Sequence, residues 1–422
     1  MKRCSSLAVL LCVLVATLYA APHSALQLAK DFRKGNLGLF DVSSDGSLLL
    51  LRDPVKTSRK LENSRTSFKV RAIAVPGYRE LASVAIEFSE NISTPAYSGS
   101  RQSFFLPNSH KVVLIGRLAK SQDAPALMLW SPETGQVERF PNVVGEASFL
   151  VDAWDDDQVI YYTVDPADSF LSQRRGRRFF LYRLSTRDTK TIDIKDDEFR
   201  YDGEAQVVIS PDRKNIVALI EGGSNKLEIR DLDRSSTWSL AVPSGKIVNF
   251  AYSPDGKYLA VISVRTEVVP GTEGGTTDES DVPFISIYDT FTKVRIRSVR
   301  ILDHVKPYAR KVYKLAAAED YLAATGEQMR FSLDSKMLAI TFAVGSVNAG
   351  RQAAHVALFE FPSLEAAGMA EHPSVKIGVW RFIGFSAVGG RLRFSPDGKL
   401  LFTTSKYAVA WNISSFGQTN PQ

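Results

Sequence analysis

The stretch Phe250-Ala251-Tyr252-Ser253-Pro254-Asp255-Gly256-Lys257-Tyr258-Leu259-Ala260-Val261-Ile262 reads as two apolar strands joined by a short, rigid turn. Pro254 presets φ at the second turn position, the Asp255 carboxylate can reach backbone N–H groups ahead of it, and Gly256 accepts positive φ. Apolar runs on both sides of such a turn make a β-hairpin. The same pattern recurs at Val42-Ser43-Ser44-Asp45-Gly46, Ile209-Ser210-Pro211-Asp212-Arg213, Phe331-Ser332-Leu333-Asp334-Ser335 and Phe394-Ser395-Pro396-Asp397-Gly398. Copies spread over the whole length mean a repeat architecture.

Two degenerate units extend the series. Phe104-Phe105-Leu106 leads through Pro107-Asn108-Ser109-His110 to Val112-Val113-Leu114-Ile115, and Val151-Asp152-Ala153-Trp154 leads through Asp155-Asp156-Asp157 to Val159-Ile160-Tyr161-Tyr162. Each hairpin is followed by another pair of strand-like runs, as at Pro283 to Asp289 and Lys293 to Ile301. Four antiparallel strands per unit is the composition of a propeller blade. The expected fold is therefore all-β, a β-propeller of about seven four-stranded blades. The last hairpin is followed by one more strand only, Tyr407 to Ile413, so its blade needs an outer strand from elsewhere. Residues 25–32 are expected to supply it, closing the ring and covering an edge.

The Ser-Pro-Asp-Gly-Lys hairpins at 253–257 and 395–399 resemble those of the TolB-type, WD-repeat-like propellers, and similar repeats occur in the propeller domains of prolyl-oligopeptidase-like peptidases. The resemblance covers essentially the whole chain after its first 20 residues. It implies a propeller fold and, from the usual habit of the TolB-like group, binding of other proteins in the cell envelope. Fold alone does not assign a function, because propellers carry many.

Met1-Lys2-Arg3, the apolar run Leu7 to Tyr19 and the small residues Ala20-Ala21 before Pro22 have the order of a secretory signal peptide. The run is shorter than the roughly 20 residues a membrane span needs. Residues 1–20 are thus expected to be a signal, 21–422 a single propeller domain, and the destination the periplasm or outside the cell. Both cysteines, Cys4 and Cys12, lie inside that signal, which leaves no disulfide and no thiolate ligand beyond it. The net charge of +6 loses two with Lys2 and Arg3, too mild a balance to demand nucleic acid. The five histidines, at 23, 110, 304, 355 and 372, show no ligand-like spacing, so neither metal nor cofactor is expected.

Extra residues gather in particular connections: 53–67, 165–178, 265–283 and 345–352 fall between second and third strands, and 302–328 between one unit and the next. Insertions crowded on one face of a rigid scaffold are where binding usually lives. Arg174, Arg175, Arg177 and Arg178 could hold a carboxylate or phosphate through forked hydrogen bonds. A protein or anionic ligand on that face is the expected partner. Residues 269–281, rich in Gly, Thr and acids including Asp278, Glu279 and Asp281, read as a mobile loop. Tyr308, Val312, Leu315 and Leu322 fall at helical spacing, which predicts a helix over 306–326 capped at Gly326.

Catalytic motifs are weak. Gly384-Phe385-Ser386-Ala387-Val388-Gly389 has one residue too many for a nucleophile elbow. Asp45, Asp212, Asp255, Asp334 and Asp397 recur once per unit and are expected to stabilise their own turns rather than pair across a substrate. Trp130, Trp154, Trp238, Trp380 and Trp411 are expected to pack between blades, and Asn91-Ile92-Ser93 and Asn412-Ile413-Ser414 fit a glycosylation acceptor. A non-catalytic binding propeller is the leading expectation. An extracytoplasmic hydrolase or lyase working in the central channel is the alternative, and a structural subunit of an envelope complex is the third.

Overall fold

Each Ser-x-Asp turn joins the first two strands of an antiparallel unit, and the described residues form thirty strands. The computed structural model describes residues 24–34, 37–53, 56–58, 65–89, 103–144, 148–164, 177–192, 207–219, 225–231, 237–242, 245–270, 277–304, 322–346, 351–372, 392–404 and 407–416. Two strands come first, β1 (Ser24–Ala25) and β2 (Gln27–Asp31). Next are β3 (Gly38–Val42), β4 (Leu48–Arg52), the short β5 (Lys56–Ser58), β6 (Arg65–Ala74) and β7 (Arg79–Ser89). Then come β8 (Ser103–Phe105), β9 (Val112–Leu118), β10 (Ala126–Trp130) and β11 (Val137–Phe140), followed by β12 (Ser148–Ala153), β13 (Gln158–Val164), β14 (Arg177–Arg183) and β15 (Thr189–Ile192). Next are β16 (Val207–Ile209), β17 (Asn215–Leu219), β18 (Lys226–Asp231) and β19 (Thr237–Ala241), then β20 (Lys246–Tyr252), β21 (Tyr258–Pro270), β22 (Thr277–Asp289) and β23 (Arg295–Arg300). The chain ends with β24 (Leu322–Phe331), β25 (Met337–Ser346), β26 (Arg351–Glu360), β27 (Ala366–Glu371), β28 (Leu392–Phe394), β29 (Leu400–Thr404) and β30 (Ala408–Asn412).

Strands β12 to β15, β16 to β19 and β20 to β23 form four-stranded sheets in chain order. Sheet β24 to β27 carries β1 as a fifth strand, parallel to β27. β3 to β11 form one nine-stranded sheet, because β7 pairs with β9 at Ile86↔Leu118 and Glu87↔Arg117. The last sheet has the order β2-β30-β29-β28, with Gln27 opposite Asn412 and Asp31 opposite Val409. Its outer strand therefore does come from the N-terminal end. First strands touch in series: β3 with β8, then β12, β16, β20, β24 and β28, which returns to β3. They form the inner wall of a propeller arrangement.

The apolar runs that the repeat writes into second strands follow from this packing. Leu48 and Leu50 of β4 join one core with Val112 and Leu114 of β9, while Leu49 and Leu51 join another with Phe402 and Ala408. In β21, Leu259 and Val261 face Val217 and Leu227, and Ala260 and Ile262 face Leu338 and Ile340. Successive side chains point to opposite faces, so a strand sandwiched between two neighbours must be apolar at every position. Each such residue contributes roughly 1.5–3 kcal/mol on full burial. Trp130 and Trp411 belong to these cores, and Trp154 and Trp238 pack partly against them. Trp380 and the Asn91 acceptor site lie outside the described residues.

Four first strands are bulged at one place: the register skips a residue between Leu39 and Asp41, Leu150 and Asp152, Ile247 and Asn249, and Gly326 and Gln328. The extra residue bends the strand, and each bulge is followed by a polar side chain on the inner wall. Just before β20, Gly245 has φ +94, and a Cβ there would lie 2.2 Å from the Val264 carbonyl oxygen. Gly245→Ala is expected to cost about 2 kcal/mol through strain and clash together, measurable as a lower denaturation midpoint.

Two expectations need correcting. Leu322 and Gly326 lie in β24, not in a helix, because Leu322 to Gly326 pair with Phe342 to Ser346. Only a helical turn at 301–304 is present before it, and 305–321 lie outside the described residues. The acidic segment 269–281 is not simply a loop: Asp278, Glu279 and Asp281 belong to β22, opposite Val269, Val268 and Thr266. The β-branched residues on the facing strand outweigh the loop-like composition there.

Candidate binding surfaces on the two faces

The Ser-x-Asp turns share one geometry. The serine hydroxyl donates to the aspartate Oδ1 at 2.6–2.7 Å in all five copies. That same oxygen accepts the backbone N–H two residues on, at 3.0–3.2 Å, in Ser47, Lys214, Lys257, Lys336 and Lys399. The serine oxygen in turn accepts the N–H five residues on, at 2.8–2.9 Å. Asp45, Asp212, Asp255, Asp334 and Asp397 each spend Oδ1 on their own turn, and each turn residue after the aspartate has positive φ, including Arg213 and Ser335. The turns also meet: a Cβ on Gly46 would lie 2.5 Å from Pro396 Cδ, so the first and last repeats touch across the join.

On this turn face His110 stands between two carboxylates. Its Nδ1 lies 2.7 Å from Glu133 Oε1, and its Nε2 lies 3.0 Å from Asp45 Oδ2 and 3.2 Å from Ser47 Oγ. The bond to Glu133 raises its pKa most, burial opposes, and Asp45 adds to the rise. For Asp45 burial is the largest influence and acts upward, but hydrogen bonds from Ser43, Ser47 and His110 outweigh it and hold the carboxyl well below its usual range. The order serine, histidine, carboxylate resembles an acyl-transfer triad. The likeness stops at the order, because the Ser47 hydroxyl lies 2.9 and 2.8 Å from the two Asp45 carboxylate oxygens, which accept from it. Sequence spacing could not reveal the node, since its members are 65 and 23 residues apart.

Beside the same turn a cleft of about 390 Å³ opens between β8–β11 and β12–β15. Leu106, Leu129, Phe140 and Leu184 form its apolar walls, with Asp156 and Arg187 among the polar residues at its edge. Asp156 accepts the Asn108 N–H at 2.8 Å, and the Arg187 guanidinium lies over the Phe140 ring at 5.6 Å. Each of these polar groups is thus already engaged with a neighbour, and the cleft is a seam between adjacent sheets.

On the inner wall Asp41 accepts from Arg393 Nε at 2.8 Å and from the Phe105 N–H at 3.0 Å, joining β28, β3 and β8. Among the described residues no group of three or more His, Cys, Asp or Glu is arranged to hold a metal, and no helix is long and apolar enough to cross a membrane.

Long paired strands extend towards the opposite face. Hairpin β21–β22 is paired from Tyr258↔Asp289 to Pro270↔Thr277, and β25–β26 from Met337↔Glu360 to Ser346↔Arg351. β6–β7 is likewise a long ribbon, Arg65↔Ser89 to Ala74↔Arg79. Arg177 and Arg178 begin β14, opposite Val164 and Thr163, with Arg178 exposed. Arg174 and Arg175 lie outside the described residues. Asn412 is exposed in β30, and its Oδ1 accepts from Ser414 Oγ at 2.7 Å.

No family model matches the sequence, and no curated protein matches it. Among solved structures, a chain of Kuenenia stuttgartiensis hydrazine synthase is similar with TM-score 0.50 and 14% identity, over 93% of this chain and 98% of that one. TolB from Acinetobacter baumannii is matched with TM-score 0.35 and 16% identity, over 62% of this chain and 53% of that one. The chain thus spans about half the length of that TolB. Identities this low speak of fold alone, and the likeness in architecture rests on the hydrazine synthase chain.

Proposed function

We propose that this chain is an exported, non-catalytic propeller of seven four-stranded blades that binds a protein through the face carrying its insertions. The count of seven is supported by the closed series of first strands and by the apolar clusters, one for each contact between successive units. In this reading the nine-stranded sheet is two blades joined at their rim. Residues 1–20 act as the export signal and 21–422 form one domain.

The observation that carries the binding face is strand length. β21 and β22 each have 13 residues, whereas β17 and β29 have 5. At about 3.3 Å per residue the long pair extends roughly 25 Å further than the short strands. A hydrogen-bonded ribbon is a stiff wall, so ordering it costs little on binding. The ribbons of the first, fifth and sixth blades rise on the side of the Val164↔Arg177 end of the third, and in this reading the arginines at 174, 175, 177 and 178 of the sequence offer anionic groups a forked donor set.

Replacing residues 265–282 by a tight turn should leave the remaining ring folded and abolish retention of proteins from the native extract. Crosslinks from captured proteins should map to the ribbon face of the intact chain. Crosslinks confined to the turn face would overturn the assignment. The channel-enzyme alternative has one buried carboxylate to offer among the described residues, Asp41, and it is already neutralised by Arg393.

A further inference from the structure

We propose that the outer edge of the fifth sheet, β23 with the turn before it, is a docking site for an extended acidic segment of a partner protein, added as a further strand. This surface is separate from the ribbon face and does not depend on it. Three of the seven large apolar side chains exposed among the described residues fall within six positions: Phe291 at 92%, Val294 at 58% and Ile296 at 49% exposure. Every residue from 291 to 298 is exposed, so the first four residues of β23 have neither sheet face covered, while Val299 packs partly on the core. Scattered apolar residues on a surface need no explanation, but a cluster marks an interaction site.

Phe291 is held out rigidly. Asp289 Oδ1 accepts the N–H of Phe291 at 3.0 Å, the N–H of Thr292 at 2.7 Å and the Thr292 hydroxyl at 2.9 Å. The Thr290 hydroxyl donates to the Gly256 carbonyl at 2.7 Å, fastening this turn to the Ser-Pro-Asp-Gly turn beside it. An aromatic ring presented on a fixed turn loses little freedom when a partner covers it.

Among the described residues no strand pairs with the outer edge of β23. β23 ends its sheet, while the neighbouring sheet already shows an added strand at the equivalent place, with β1 lying parallel to β27. Charge selects the occupant. Arg295 and Arg297 have no carboxylate within ion-pair distance among the described residues, and Lys293 lies over the Trp238 ring at 4.5 Å. A second copy of this edge would bring like charges together. The cations and the bulge at Ile296, where Ile287 pairs with Arg297 and Tyr288 with Arg295, are devices that reject indiscriminate strand pairing. Because Arg295 and Arg297 pair with successive residues of β22 they stand on opposite faces, so a segment with both acidic and apolar residues on each face satisfies both arginines and covers Val294 and Ile296.

The test uses residues 21–422 and a labelled peptide of Glu-Glu-Val-Val repeats, which carries both residue types on each face, with a Lys-for-Glu peptide as control. The Glu peptide should bind and slow amide exchange across 294–299. Phe291→Ser/Val294→Ser/Ile296→Ser, all at exposed positions, should melt as the parent does and bind at least ten-fold more weakly. Arg295→Glu/Arg297→Glu should exchange preference to the Lys peptide. Unchanged affinity in the triple-serine protein overturns the proposal. So does binding to phosphatidylglycerol vesicles but not to the Glu peptide, or self-association of the parent that the serines abolish.

Discussion

Arg393→Met should lower the free energy of unfolding by about 2 kcal/mol, while Asp41→Asn/Arg393→Met should lower it by less. Asp41 and Arg393 are separated by 352 residues yet bonded at 2.8 Å, with side chains only 12% and 20% exposed. Removing the arginine leaves a mostly buried carboxylate whose remaining donor is the Phe105 N–H. Breaking a buried pair costs several kcal/mol, and the residual exposure puts this one at the lower end. Asparagine keeps an acceptor for Phe105 and removes the stranded charge, so the second substitution should rescue part of the first. Urea denaturation of the parent, both singles and the double measures the coupling. A double variant less stable than Arg393→Met would show that the pair is not what joins these strands.

Between pH 6.5 and 4.5 the protein should lose about 2.5 kcal/mol of stability to His372 alone, at 1.36 kcal/mol per unit. Its ring is 4% exposed as a residue, packed near Tyr407 and Trp411, and burial pushes its pKa down to about 3. The unfolded chain takes up a proton near pH 6.5 that the folded chain refuses. Stability from this group is therefore intact above 6.5 and falls as pH drops towards 3. His110 has the opposite sign, since its raised pKa contributes below 6.5 and fades as pH rises through its folded value. With a third of the His110 side chain exposed, its contribution is under about 1 kcal/mol, so the acid limb belongs to His372. Comparing the pH dependence of parent and His372→Phe isolates this from the carboxylates. Parallel acid limbs in the two proteins would rule the effect out.

Much of the architecture was legible because it is local. Pro254, Asp255 and Gly256 dictate a turn by their own stereochemistry, and Leu48 to Leu51 announce a strand buried on both faces. The strand deficit after Ile413 pointed to an N-terminal partner, found as Gln27 to Asp31. What sequence did not disclose depends on register between distant strands. Glu279 lies in a ribbon only because Val268 is opposite it, and Leu322 is extended because Ser346 pairs with it. The binding candidates fared alike: Arg177 and Arg178 could be picked out by composition, whereas the His110 node and the exposed edge of β23 needed the assembled ring.

The join between β2 and β30 sets the order in which the molecule can mature. Gln27 is made long before its partner Asn412, which follows 385 residues later. No intermediate length of chain can seal the circle, and contacts spanning nearly the full sequence form slowly. Until the final hairpin arrives, the apolar flanks of the opening and closing units remain bare. During synthesis the chain is thus an open arc, whose flanks need shelter before the two strands meet.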